Sequence, residues 1–152
     1  MSWTGKNKFF EYFRSLFRKE QAPSGNTSAR QVKPLTPAQV ARVENKLNAW
    51  VEKKGYCLPD ASVHQSASRI GTDPVILFRY FAMQGTDFRT WRATLRMKEA
   101  IELMKQNPQL SISAIGRRVG ITDRSNFGRQ FRAIYGETPD NWRKKSKIFL
   151  EN

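Results

Sequence analysis

The 152-residue chain has a single cysteine, Cys57, and a single histidine, His64. One cysteine excludes an intramolecular disulfide framework and a multi-cysteine zinc site. With one histidine, a histidine-based metal site is not expected, nor is a Ser-His-Asp relay, which would have to be built on His64 itself. No apolar run approaches the roughly 20 residues that a membrane-spanning helix requires. Lys6 and Lys8 are not followed by an unbroken apolar stretch or a small-residue cleavage site, so a secretory leader is not expected. Acidic residues are also scarce, 13 against 27 Lys plus Arg, which leaves a formal charge of +14. Nothing here points to catalysis. No catalytic residue, cofactor or metal is expected, and the reducing cytoplasm is the expected compartment.

A charge excess of this size opposes compaction and marks proteins with an anionic partner, either nucleic acid or an acidic membrane surface. The aromatic content (10 Phe, 4 Trp and 4 Tyr) argues against wholesale disorder. Composition divides the chain into an aromatic, basic segment at 1–20, a Pro/Ser/Gly-rich linker at 21–35, a helical domain at 36–146 and a tail at 147–152.

In the third part Thr36-Pro37 with Gln39 supplies an N-cap, a first-turn proline and a capping-box partner. Val40, Val43, Leu47, Trp50 and Val51 follow at helical spacing. Ser62 with Gln65, Asp73-Pro74 and Thr138-Pro139 are further start signals, and Gly71, Gly85, Gly120 and Gly136 punctuate the helices. No useful stretch alternates with period two. The expected fold is all-α, with about seven helices and no sheet.

An internal repeat carries most of the information. Ala67-Ser-Arg-Ile-Gly71 aligns with Gly116-Arg-Arg-Val-Gly120, and Leu77-Phe-Arg-Tyr-Phe81 aligns with Phe127-Gly-Arg-Gln-Phe131. Each copy reads as a short helix, a glycine turn and a second helix with an apolar face: a helix-turn-helix, twice. The small residue at 67 or 116 permits close approach of the two helices. Between the copies one long helix, about 86 to 106, changes its apolar face midway, from Phe88, Trp91 and Leu95 to Met97, Ala100, Ile101 and Met104. Two stripes on roughly opposite sides predict a rod shared by two small cores.

In the second helix of the second copy, Phe127, Phe131 and Ile134 form the inner face, with Tyr135 at its edge. Ser125, Arg129 and Arg132 stand opposite, with Arg124 at the N-terminal end and Gly128 leaving room for close approach. A helix reading the major groove, about 12 Å wide, needs such a face, because arginine reaches guanine O6 and N7 bidentately. In the first copy Val75, Phe78, Arg79 and Ala82 are left facing out. Val75 and Phe78 suit thymine methyls or a sugar-phosphate edge, or equally another protein surface. Arg117, Arg118 and Arg132, together with Arg89, Arg92 and Arg96 projecting from one side of the long helix, are phosphate candidates. The basic run Arg143 to Lys147 suits a looser form of the same contact. Cys57 and His64 are expected to be packing residues.

The segment Phe9 to Lys19 is amphipathic, with Phe9, Phe10, Tyr12, Phe13, Leu16 and Phe17 on one side. Being too short to be stable alone, it must dock if ordered. Its own domain, a second copy of the chain, a protein partner engaged through Phe9, Phe13, Leu16 and Phe17, or an anionic membrane are all open.

Positions 36 to 143 resemble the DNA-binding domain of AraC/XylS-type bacterial transcription regulators. The resemblance is carried by Arg96-Met-Lys-Glu-Ala100, by Ile115-Gly-Arg-Arg-Val119-Gly120-Ile121, by Ser125-Asn-Phe127-Gly-Arg129-Gln-Phe131-Arg132, and by Tyr135-Gly136-Glu-Thr138-Pro139 with Trp142-Arg143. The first half matches more loosely, through Ala67, Ile70-Gly71, Leu77, Arg79, Phe81 and Gly85. It implies seven helices and two helix-turn-helix units that enter successive major-groove segments. Carried over by position, base contacts fall on Arg124, Ser125, Gly128 and Arg129, and on Val75, Phe78 and Arg79. The implied function is sequence-specific binding of double-stranded DNA by a transcription regulator, more often an activator, that works with RNA polymerase on the cytoplasmic nucleoid. The alternative is a co-regulator with a degenerate first unit that acts through partner binding.

Three features depart from the family pattern. Val75 and Phe78 replace more usual polar or large readers, the Phe81–Gly85 run is one residue short, and Gly116 replaces alanine. Only 35 residues precede the domain, so the expectation is a stand-alone form without a ligand-sensing domain.

Overall fold

A computed structural model of the chain describes residues 33–59 and 62–150, with side chains through Ser146. The aromatic segment 1–20, most of the linker, and the docking expected of Phe9, Phe13, Leu16 and Phe17 lie outside the described residues. Among those described there are seven α-helices, one short 3-10 turn and no strand. The helices are α1 (Pro37–Glu52), α2 (Val63–Ile70), α3 (Pro74–Met83), α4 (Phe88–Gln106), α5 (Ile112–Arg118), α6 (Arg124–Tyr135) and α7 (Pro139–Leu150). The 3-10 turn, Gly55–Cys57, lies between α1 and α2.

Each start is made by the cap that its sequence supplies. At α1, Thr36 accepts from the Gln39 amide (3.3 Å) while the Gln39 side chain accepts from the Thr36 amide (2.9 Å). Ser62, Asp73, Asp87, Ser111 and Asp123 each accept a backbone N–H at the head of α2 to α6. Each satisfies one of the donors that a helix N-terminus otherwise leaves orphaned. Asp87 as N-cap sets the first residue of the long helix at Phe88. At the far end α7 continues to Leu150, beyond the boundary expected at 146. Residues 143–147 contain no glycine or proline to stop it, and Lys and Arg are good helix formers.

The helices build two lobes on α4. In the first, Val43, Leu47, Trp50, Ala67, Ile70, Leu77, Tyr80, Phe81, Phe88, Trp91 and Leu95 are buried. Trp91 stacks on Trp50 with centroids 5.9 Å apart and meets Phe81 at 5.1 Å. In the second, Met97, Ala100, Ile101 and Met104 pack with Ile112, Ile115, Val119, Ile121, Phe127 and Phe131. The change of apolar face along α4 is therefore the boundary between two cores.

The repeat survives in detail. Ala67 and Gly116 are both buried, and Leu77 and Phe81 occupy the core positions of Phe127 and Phe131. Gly71 and Gly120 take left-handed conformations, with φ 78° and 81°. In both turns the amide after the glycine donates to the carbonyl of the small residue, Thr72 to Ala67 at 3.0 Å and Ile121 to Gly116 at 2.8 Å. This six-to-one bond closes a Schellman-type helix end, and the left-handed residue it needs is glycine for want of a Cβ.

Candidate nucleic-acid interface

α6 carries an array of exposed polar groups. Phe127 and Phe131 fix the helix on its core, so Arg124, Ser125, Arg129 and Arg132 are exposed on its other sides. Gly128 lies between them, and a Cβ there would have nothing within 4 Å. Arg124 has only a loose pairing with Asp140, at 4.0 Å and with both side chains mostly exposed, so it remains available. Arg117 and Arg118, in the last turn of α5, are exposed. Ile134 departs from the expected inner face and is 38% exposed. Tyr135 takes the inner place instead, with its ring 4.8 Å from Phe131.

The corresponding face of α3 is apolar. Val75 and Phe78 are 62% and 61% exposed, and Ala82 is exposed with them. Arg79 is half-buried, and its Nη2 donates to the Pro34 carbonyl at 2.9 Å. The chain entering α1 is thus fastened to α3, and the Leu35 amide also points at Met83 Sδ, 3.3 Å away.

The arginines of α4 do not form the single projecting row expected of them. Arg89 is exposed. Arg92 does not project: it is 8% exposed and donates to the Tyr56 carbonyl (3.2 Å), to Ser66 Oγ (3.3 Å) and to the Leu58 carbonyl. Its place at the seam between the two apolar stripes turns it under the α1–α2 connection, where backbone carbonyls satisfy the guanidinium. Arg96 is half-buried and donates to the same carbonyls, Tyr56 at 2.6 Å and Leu58 at 2.7 Å.

A groove of about 330 Å³ runs between the lobes, lined by Ser62 and Val63 of the first, by Phe88, Arg89, Arg92, Ala93 and Arg96 of α4, and by Asn126 and Gln130 of α6. Asn126 Oδ1 accepts from Gln130 Nε2 at 3.1 Å. This polar pair was not singled out in the sequence, although its i, i+4 spacing on the flank of an arginine-bearing helix was visible there.

Cys57 is half-buried against the second core; burial, and then the Glu99 carboxylate, push its thiol up to about 11. That thiol is no nucleophile at neutral pH. His64 is exposed on α2 and is not the packing residue expected.

Residues 66–145 match the model of a helix-turn-helix domain family. The HTH-type transcriptional regulator RipA of Corynebacterium diphtheriae is 28% identical over 147 residues, covering 93% of this chain and 41% of its own length. The transcriptional activator RhrA of Rhizobium meliloti is 29% identical over 122 residues, or 79% of this chain and 36% of RhrA. The chain thus spans less than half the length of these curated relatives. Among solved structures, the DNA-binding domain of AdpA in complex with a target DNA superposes with a TM-score of 0.58 at 20% identity, covering 72% of this chain and 94% of that one. The C-terminal domain of AraT, a response regulator from Geobacillus stearothermophilus, gives 0.57 at 22% identity, covering 73% and 87%.

Proposed function

The chain belongs to the AraC/XylS-type helix-turn-helix family, and from that premise we propose that residues 36–146 bind double-stranded DNA in a sequence-specific manner and regulate transcription. The observation that carries the reading is the exposed face of α6, where Arg129 and Arg124 flank a glycine on a helix seated by two buried phenylalanines. A side-chain-free notch lets a helix sit deep in the major groove, where each arginine reaches a guanine edge with two hydrogen bonds. Ser125 and Gly128 complete that contact.

In the first lobe Val75 and Phe78 pack on thymine methyls, the apolar group that the major groove offers. Arg79, whose guanidinium also donates to the Pro34 carbonyl, is the accompanying polar reader. Arg89, Arg117, Arg118 and Arg132, with Arg96 more weakly, contact phosphates and set register without reading sequence. The two lobes differ in the chemistry of their outward faces, so the preferred site is asymmetric. Activation through RNA polymerase, on the cytoplasmic nucleoid, is the mode we assign, in line with the name of the relative RhrA. The reading assigns no catalysis, cofactor or metal.

The test is Arg129→Ala against a selected site and against random DNA. Loss of a bidentate guanine contact costs about 1–3 kcal/mol, a five- to 150-fold weakening on the selected site, with little change on random DNA. Equal loss on both would make Arg129 a phosphate contact and remove the reading.

A further inference from the structure

The α1–α2 connection is held more firmly than a surface turn requires, and by both lobes at once. Arg92, Arg96 and Glu99 lie at i, i+4 and i+7 on α4 and therefore share one side of it. The two guanidinium groups donate to the carbonyls of Tyr56 and Leu58. The Glu99 carboxylate accepts from Tyr56 Oη at 3.2 Å and pairs with Lys54 Nζ at 2.5 Å. The Cys57 side chain packs against the second core, although its segment leads into α2 of the first lobe.

The turn of the second helix-turn-helix closes on the same point. A Cβ added to Gly120 would lie 2.2 Å from the Cys57 carbonyl and 2.9 Å from Arg96 Nη2. Lys54, at the entry to the connection, is the one described non-glycine residue with positive φ, at 51°. That conformation costs a side-chain-bearing residue free energy and persists where its surroundings over-determine it.

We infer that residues 54–58, clamped by Arg92, Arg96 and Glu99 and seated on Gly120, form a brace that fixes the two lobes in one relative orientation and so sets the half-site spacing the protein accepts. Each lobe is held on α4 by its own apolar stripe, and packing of that kind leaves room for small rolls and slides of one lobe about the rod. A second connection beside the rod removes that freedom. Arg92 and Arg96 are positioning residues in this role, acting through the lobes and not on bases. The consequence for DNA rests on the reading proposed above, whereas the brace itself does not.

Two measurements on the full chain separate them. Residual dipolar couplings of the DNA-free protein report the orientation of each lobe. A single alignment tensor should fit residues 37–83 and 112–146 in the wild type. In Arg96→Gln, and more strongly in Arg92→Gln/Arg96→Gln, the two lobes should need tensors of different magnitude while each lobe's amide shifts stay native-like. One shared tensor in the folded single variant would overturn the brace. The second measurement compares duplexes whose half-sites are moved apart or together by one base pair, a shift of about 3.4 Å and 36°.

Wild type should lose about tenfold or more on either change, the equivalent of one bidentate base contact. Arg96→Gln should bind the native spacing several-fold more weakly and lose less than about threefold on the altered spacings. An undiminished spacing penalty in a variant with separated tensors would overturn the link from brace to spacing. Absence of any sequence or spacing preference in the wild type would instead sink the DNA reading and the spacing claim, leaving the brace to the couplings.

Discussion

Two glycines inside helices should respond to alanine with opposite signs. Replacing glycine by alanine in a helix interior is worth up to about 1 kcal/mol of stability, because the unfolded chain loses freedom. Gly128 receives that benefit in full, since its new Cβ meets nothing within 4 Å. At Gly116 the Cβ would lie 2.8 Å from the Ile121 carbonyl oxygen, and Phe127 closes the site with Cγ at 3.5 Å. The obstructing atom is backbone, and the Ile121 amide itself donates a 2.8 Å hydrogen bond to the Gly116 carbonyl. Relieving the clash therefore opens the turn that sets α6 on α5. Overpacking of this kind costs about 1–3 kcal/mol, and weakening the turn bond takes up to about 1 kcal/mol more.

Against the propensity gain, Gly116→Ala should be destabilised by about 1–2 kcal/mol, a fall in melting temperature of about 5–10 °C for a domain of this size. Gly128→Ala should melt several degrees higher. Thermal and urea unfolding followed by circular dichroism measure both. A Gly116→Ala protein as stable as wild type would refute the packing argument and leave helix propensity as the ruling term. The contrast also explains the departure at 116: glycine's cost in the helix is smaller than the cost of the methyl it omits.

Lys98 is half-buried, and desolvation pushes its ammonium down to about 8. The unfolded chain, with a lysine near 10.5, then binds more protons between about pH 8 and 10.5, so this group's penalty is full below 8 and is relieved as pH rises. Lys98→Met should be more stable than wild type at pH 7, with the advantage shrinking toward pH 10.5 in urea titrations; a pH-independent advantage would contradict the desolvation account. For DNA binding, Arg117→Ala and Arg118→Ala should each flatten the slope of log affinity against log salt by about 1, with sequence preference retained. An unchanged slope would remove either arginine from the phosphate contacts.

What the sequence made legible was whatever depends on neighbours in the chain. Caps are local chemistry, so Thr36, Ser62 and Asp73 could be placed without knowing the fold. The repeat was legible because one core solution had been used twice, with Leu77 and Phe81 answering to Phe127 and Phe131. Arg92 was not legible. Arginines spaced along a helix look the same whether water or a distant carbonyl receives them, and the receiving carbonyls of Tyr56 and Leu58 lie 36 and 34 residues away. Ile134 fell to a related ambiguity, since two neighbouring apolar residues compete for one inward place and the ring of Tyr135 fills it.

The same contrast bears on how the charge of +14 should be understood. A basic excess measures attraction to an anion, not the number of contacts made with one. Arg92 keeps its charge while all its described hydrogen bonds go to protein oxygens, so it adds to the field around the domain and carries the brace. Arg129, on a helix of similar composition, is exposed. Two cores of repeated pattern, one shared rod and a clamped connection hold the scaffold constant, and the differences between the lobes are concentrated on outward positions: Val75 and Phe78 in one, Arg124, Ser125 and Arg129 in the other. A duplicated unit whose insides match and whose outer faces diverge is suited to reading two unlike half-sites, and an unlike pair has a direction. Under the function proposed above, that direction fixes which side of the site the activating contact is made from.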